Sequence, residues 1–231
     1  MISEEITKEC YKALTGDQKL MLALVSDFDD DAKRVYDLLK SVAPVSQSIH
    51  TSSVKPYSDG VYYIYQDGTC ELFDYDKANS PTKPVKRIGV IMGNHSLSVN
   101  LEDLPEQPLA NKKDDGGYSG YIKEYDDAVA DWNGKSNTEH IKQVGTDIEL
   151  KDDEWIPSVA ELYLIYFNKR SINAAIVLSG GSPIKDEWYW SSTEHSAANA
   201  WRLTLHDGYL ASPWTNKVQL SHYVRAVAAF H

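Results

Sequence analysis

The residues whose types and spacing could do chemistry lie in the last fifth of the chain. Tyr189-Trp190-Ser191-Ser192-Thr193-Glu194 leads to Ala200-Trp201, then Gly208, Lys217 and Tyr223-Val224-Arg225-Ala226-Val227. Trp190, Trp201, Val224 and Val227 are apolar and fall on separate short strands, as a small sheet core requires. Ser191, Ser192 and Thr193 can bond backbone where strands turn or cross. Arg225 sits between Val224 and Ala226, where its planar fork could tie loop carbonyls or Glu194 together. Asp207-Gly208 is a hairpin signal. Between these landmarks lie His195, Ser196, Asn199, Arg202, Thr204, His206, Asp207, Tyr209, Ala211, Ser212, Pro213, Trp214, Thr215, Asn216, Val218, Leu220, Ser221 and His222, of every chemical type and with no repeat. Such a promiscuous filling on a fixed frame points to noncovalent recognition. In Arg202-Leu203-Thr204-Leu205-His206 the leucines alternate inward, so Arg202, Thr204 and His206 are expected to project outward together. Trp214 is either an interface anchor of the kind that exposed Trp and Tyr make or a ring folded back into the core.

Catalytic patterns are not met. The chain has no G-x-S-x-G elbow, and Ser179-Gly180-Gly181-Ser182 reads as a helix end. Seven His are scattered without H-E-x-x-H or paired Cys/His spacing, so His140, His195, His206 and His222 read as surface or binding residues rather than metal ligands. Asp27 and Asp29-Asp30-Asp31 fail as a calcium loop, since its sixth and twelfth positions would hold Ala32 and Leu38. Helix capping explains them better, and Asp114-Asp115 and Asp152-Asp153-Glu154 read as solvated loops. No cofactor and no metal are expected.

The elements that must position the recognition residues follow from composition and periodicity. A chain of 231 residues can bury a sizeable core. Tyr and Trp, at 15 and 6 against 4 Phe, are in excess, which fits either displayed aromatic surface or a ring-filled β core. The net charge of −11 opposes binding to nucleic acid or anionic membrane. No run approaches the roughly 20 apolar residues of a membrane span, and the acidic start Met1-Ile2-Ser3-Glu4-Glu5 is not a secretion signal. Residues 3–43 read as amphipathic helix, giving a helical N-terminal segment over 1–45, for docking or oligomerisation, and a Ser/Thr/Pro linker over 46–59. From residue 60 the pattern turns to strands: a hairpin over 61–73 and a buried strand over 88–92. Short helices are expected over 123–132 and 137–144, with loop over 102–120. A strong helix should start at Ser158, N-cap to Glu161, with a second over 171–178. The remainder is strand and turn.

The gapped pattern Trp155-Ile156-Pro157-Ser158, Glu161-Leu162, Asn173-Ala174-Ala175, Gly180-Gly181, Pro183, Tyr189 through Glu194, Ala200-Trp201, Gly208, Lys217 and Val224 through Val227 resembles the variable proteins of diversity-generating retroelements. The likeness is strong over 150–230 and weaker over 60–150. It implies an α+β chain, with a C-type-lectin-like domain over 60–231 preceded by the helical segment. It also implies a face over about 190–230 diversified by mutagenic retrotransposition at adenines. An AAC or AAT codon so mutated never yields Trp or Gln, so Trp214 and Gln219 fall outside its reach. Calcium-dependent relatives use an acid after Gln-Pro, and here Gln107-Pro108-Leu109 lacks it. The implied partner is a cell-surface protein or glycan, met in phage adsorption or bacterial adhesion at a virion or bacterial cell surface. The N-terminal helices would hold a fibre, a virion partner or a second copy. A fibre-tip structural protein without a specific ligand and an enzyme on the same fold remain the alternatives.

Overall fold

The computed structural model describes residues 57–211 and 215–230. The expected helices over 3–43, the linker as far as residue 56, and Ser212, Pro213 and Trp214 lie outside the described residues.

The described chain is mixed α+β, with two sheets and few helices. Its strands are β1 (Gly60–Tyr65), β2 (Cys70–Leu72), β3 (Val85–Met92), β4 (His95–Val99), β5 (Leu104–Gln107) and β6 (Glu154–Trp155). They continue as β7 (Trp188–Glu194), β8 (Ala200–Thr204), β9 (Leu210–Ala211), β10 (His222–Val224) and β11 (Val227–Ala228). The helices are α1 (Tyr125–Val129), α2 (Gly134–Val144) and α3 (Val159–Leu178). One sheet runs β2-β1-β3-β4-β11-β6 and the other β5-β10-β7-β8-β9.

Each expected strand has its local cause. The β1–β2 hairpin closes on Gly68, whose φ of 82° supplies the left-handed turn position. β3 is central in the larger sheet, and its Ile88 and Val90 are fully buried. The short helices fall at α1 and α2, close to expectation. The stretch 102–120 is loop except for β5, which pairs antiparallel with β10.

α3 is the main correction. The sequence suggests a break before Ser171, but one helix of 20 residues runs through it. No Gly or Pro interrupts 159–178, and Ile165, Ile172 and Ile176 carry the buried face across the polar Lys169-Arg170-Ser171 step. Apolar residues lie on several sides of α3 because it packs against strands of both sheets. Its start has the reciprocal cap: Glu161 N donates to Ser158 Oγ at 3.4 Å, and Ser158 N donates to Glu161 Oε2 at 2.8 Å. Its end is a Schellman closure. Gly180, at φ 80°, donates to Val177 O, and Gly181 donates to Ile176 O, each at 3.0 Å. No helix among the described residues is long and apolar enough to cross a membrane.

The principal core draws on Val61, Tyr63, Leu97, Leu162, Ile176, Tyr189 and Leu203, so it joins both sheets and α3. A second cluster of Leu109, Ile141, Ile148, Ile156, Trp190, Ala200 and Val224 lies partly on the other face of β7. The two tryptophans of the frame, Trp190 and Trp201, therefore fill different cores.

Candidate functional site

The frame residues are held as their types require. Ser191 Oγ donates to Trp201 O at 2.8 Å, Ser192 Oγ to Gly134 O at 3.3 Å, and Thr193 Oγ1 to Asp131 Oδ2 at 2.7 Å. The three hydroxyls thus satisfy buried acceptors on β8, α2 and the loop before α2, and all three residues are buried. Trp190 Nε1 donates to Gln107 O and Trp201 Nε1 to Ile122 O. Arg225 is fully buried. Its Nε meets Asp103 Oδ1 at 2.7 Å, while Nη1 and Nη2 donate to Asn100 O and Ser182 O, each at 3.0 Å. The expected tie to loop carbonyls is there, but the carboxylate is Asp103 rather than Glu194.

Glu194 is bound elsewhere. Lys217 Nζ donates to its Oε1, and His140 Nδ1 lies 2.6 Å from its Oε2. His140 Nε2 lies 3.1 Å from Asp114 Oδ2, which also accepts from Tyr121 OH at 2.5 Å. Tyr118 stacks on the His140 ring at 3.5 Å. This chain of side chains links the loop 108–121, α2, β7 and the loop before β10. It corrects two expectations: His140 is a packed structural residue, and Asp114 belongs to the network instead of a solvated loop. Asp153 and Glu154 are likewise engaged, both by Arg87.

The residues expected to form one face are less continuous in space than their order implies. Trp188 faces Thr204 across β7–β8, and Glu194 faces Ala200 at the far end. Six residue steps separate these ends, roughly 20 Å at strand rise. His195, Ser196, Asn199, Thr215 and Asn216 gather at the Glu194 end, where Asn199 and Asn216 form a bridge. Arg202 and Ala211 are register partners midway, and His206, Asp207, Gly208 and Tyr209 form the turn at the Trp188 end. His222 opposes Gln107 of β5 beside that end, with Val218, Leu220 and Ser221 on the intervening loop.

Burial sorts these residues further. Tyr209 is 63% exposed, and His206, Asp207, Leu220 and Ser221 are exposed. His195, Ser196, Asn199, Arg202, Ala211, Asn216 and Val218 are half-buried. Thr204, Thr215 and His222 are buried, and so are corrected from face to interior. Thr204 fails to project because its hydroxyl accepts from His206 N at 3.2 Å, folded into the turn. Gly208, at φ 72°, closes that turn against Tyr166, which an added Cβ would meet at 2.7 Å.

The sequence missed Trp188. It lies two residues before Trp190, which puts both rings on one face of β7. Its ring is edge-on to Tyr209 at 6.1 Å and lies under the Arg202 guanidinium, 4.0 Å from centroid to Cζ. Arg202 Nη1 donates to His222 Nε2 at 2.8 Å. Alternation about Trp190 was the available signal.

Two clefts lie among the described residues, the first beside the Glu194 end, where Ile122 N donates to Glu194 O. This first cleft, of about 300 Å³, is lined by Tyr118, Tyr121, Asp131 and Asn137. Asp131 already accepts from Asn133 N, Asn133 Nδ2, Asn137 Nδ2 and Thr193 Oγ1, which leaves it no free lone pair for a general base. The other, of about 470 Å³, includes Glu161, which is occupied by Ser158 N and Trp155 Nε1. Among the described residues, no group of three or more His, Cys, Asp or Glu is placed to hold a metal ion.

Two buried groups set opposing pH responses. Burial first, then the Arg202 guanidinium, holds the His222 ring down at about 4. Its folded value is depressed, so its stability contribution is present above the unfolded value near 6.5 and lost as pH falls through about 4. Burial pushes Glu161 up to about 7, so its contribution is present below about 4.5 and lost as pH rises through about 7. The two responses offset each other. Denaturant melts across this range should therefore show that His222→Gln leaves the Glu161 response uncompensated and shifts the stability difference in favour of about pH 4 over about pH 8. An unchanged difference would mean that the ring titrates as a solvated imidazole.

No protein-family model matches the chain, and no curated protein or solved structure does.

Proposed function

We propose that the chain is a non-enzymatic ligand-binding protein whose C-terminal strands and loops form a recognition face. In this reading the domain is C-type-lectin-like, and the protein acts in phage adsorption or bacterial surface adhesion. Its partner is a cell-surface molecule. The observation that carries it is the contrast between frame and face. Lys217, Glu194 and Arg225 are buried and fully engaged, while Tyr209 stands 63% exposed beside Trp188 and Arg202. A rigid frame lowers the entropy lost when exposed rings are immobilised by a partner. The lectin-like reading draws support from β1 and β11 lying in one sheet, with the long excursion that carries β5 and β7–β10 between them.

The functional test replaces Tyr209, His206 and Trp214 by Ala in one variant and measures adsorption to host cells. Loss of adsorption by at least about ten-fold is expected, since interface hot spots are worth about 2 kcal/mol or more each. Intact adsorption with normal particle assembly would instead favour a structural fibre-tip role. Diversification has its own check in the flanking DNA. The expected finding is a reverse-transcriptase gene and a near-repeat of the codons for about residues 190–230 that differs at adenines.

A further inference from the structure

Arg202 differs from the other shielded cations of the described chain. Arg87 is paired with Asp153 and Glu154, Arg225 with Asp103, Lys217 with Glu194, and Lys169 with Asp186. Arg202 is half-buried, yet among the described residues it forms no ion pair. Its Nη1 has only the neutral acceptor His222 Nε2, its face has the Trp188 ring, and its Nε is buried with no acceptor at all. Withdrawing a guanidinium from water without a carboxylate is costly. The chain carries 34 acidic against 23 basic residues, so scarcity of carboxylates is not the reason.

The surroundings specify the missing counter-ion. Trp188 and Tyr209 stand edge to face beside the guanidinium, giving two apolar walls next to one planar cation. Glu187 and Asp207 are exposed on the flanking turns and repel a ligand with many negative charges. One isolated carboxylate on a compact body with apolar C–H faces fits both conditions. We propose that Arg202 is the carboxylate-binding centre of the recognition face, and that its ligand is an acidic sugar, a uronic or sialic acid residue of a surface glycan. The carboxylate takes the guanidinium fork and the sugar ring packs against Trp188 and Tyr209. This assignment rests on the ligand-binding reading and names its ligand class.

The experiment titrates the full chain by calorimetry with sialyllactose against lactose, and with methyl galacturonoside, which carries a single carboxylate, against its methyl ester. At least one acidic form should bind about ten-fold or more tightly than its neutral counterpart, the scale of a charge-assisted hydrogen bond. Arg202→Gln should abolish that preference in a protein that still unfolds cooperatively, and Arg202→Lys should restore only part, because an ammonium lacks the fork. Equal binding of acid and neutral forms, or no binding of either, overturns the proposal; this arm uses the unaltered chain and does not depend on how a variant folds. Binding of a glutamate-rich peptide but of neither sugar also overturns it, in favour of a protein partner. Adsorption lost in the Tyr209, His206 and Trp214 variant but intact in Arg202→Gln sinks the sugar assignment alone. Adsorption intact in both sinks the recognition reading.

Discussion

Lys217→Met is expected to cost the domain about 3–5 kcal/mol, the scale for breaking a buried ion pair by removing one partner. The reason lies in what remains. Lys217 and Glu194 have side chains 0% and 2% exposed, so the variant strands a carboxylate with little water to solvate it. His140 still faces Glu194 Oε2, but Oε1 loses its cation. Glu194→Gln leaves the opposite problem, an ammonium without its counter-charge. The double variant removes both charges and should be less destabilised than the two single effects summed. Denaturant unfolding of the four proteins gives the coupling directly. Single variants within about 1 kcal/mol of the parent would show that water reaches this pair, since exposed pairs have that worth.

Gly134→Ala is the second large effect. A Cβ at this position would lie 1.9 Å from Glu161 Oε2, 2.8 Å from its Cδ and 2.9 Å from Ser158 N. Glu161 cannot simply swing aside, because Oε2 accepts from Ser158 N and Trp155 Nε1 and closes the cap of α3. Overpacking of about 1–3 kcal/mol and a lost cap of about 1 kcal/mol combine to about 2–4 kcal/mol. Adding Glu161→Ala should recover part of the loss, since the clash leaves with the carboxylate. The same denaturant series measures it, and a Gly134→Ala protein as stable as the parent would place α2 farther from α3 than described.

Local signals in the chain carried much of the described architecture. The capping box at Ser158 and Glu161, the Gly180-Gly181 helix end and the β1–β2 hairpin each depend on residues within a few positions of one another, and each is found where the pattern put it. The burial of Trp190, Trp201, Val224 and Val227 also follows from apolar residues on short strands. The frame hydroxyls Ser191, Ser192 and Thr193 were legible by type, because such groups must find acceptors when buried.

Tertiary structure alone decided how distant residues meet. Lys217 and Glu194 are 23 positions apart, and Arg225 and Asp103 are 122. No spacing rule spans such gaps, so the sequence pointed Arg225 to Glu194, and the packed sheets gave it Asp103 instead. The expected continuity of residues 195–222 failed for the same reason. Thr204, Thr215 and His222 share polar character with exposed neighbours, but turn geometry and sheet pairing place them inside. Trp188 meets the Arg202 guanidinium diagonally across β7–β8, a contact that a linear reading of residues 190–230 passes over. Local chemistry determined which residues would be frame, because caps, turns and apolar alternation act over a few residues. Only the packed sheets determined which charges pair and which cation has no carboxylate beside it, because those depend on contacts between residues tens to more than a hundred positions apart.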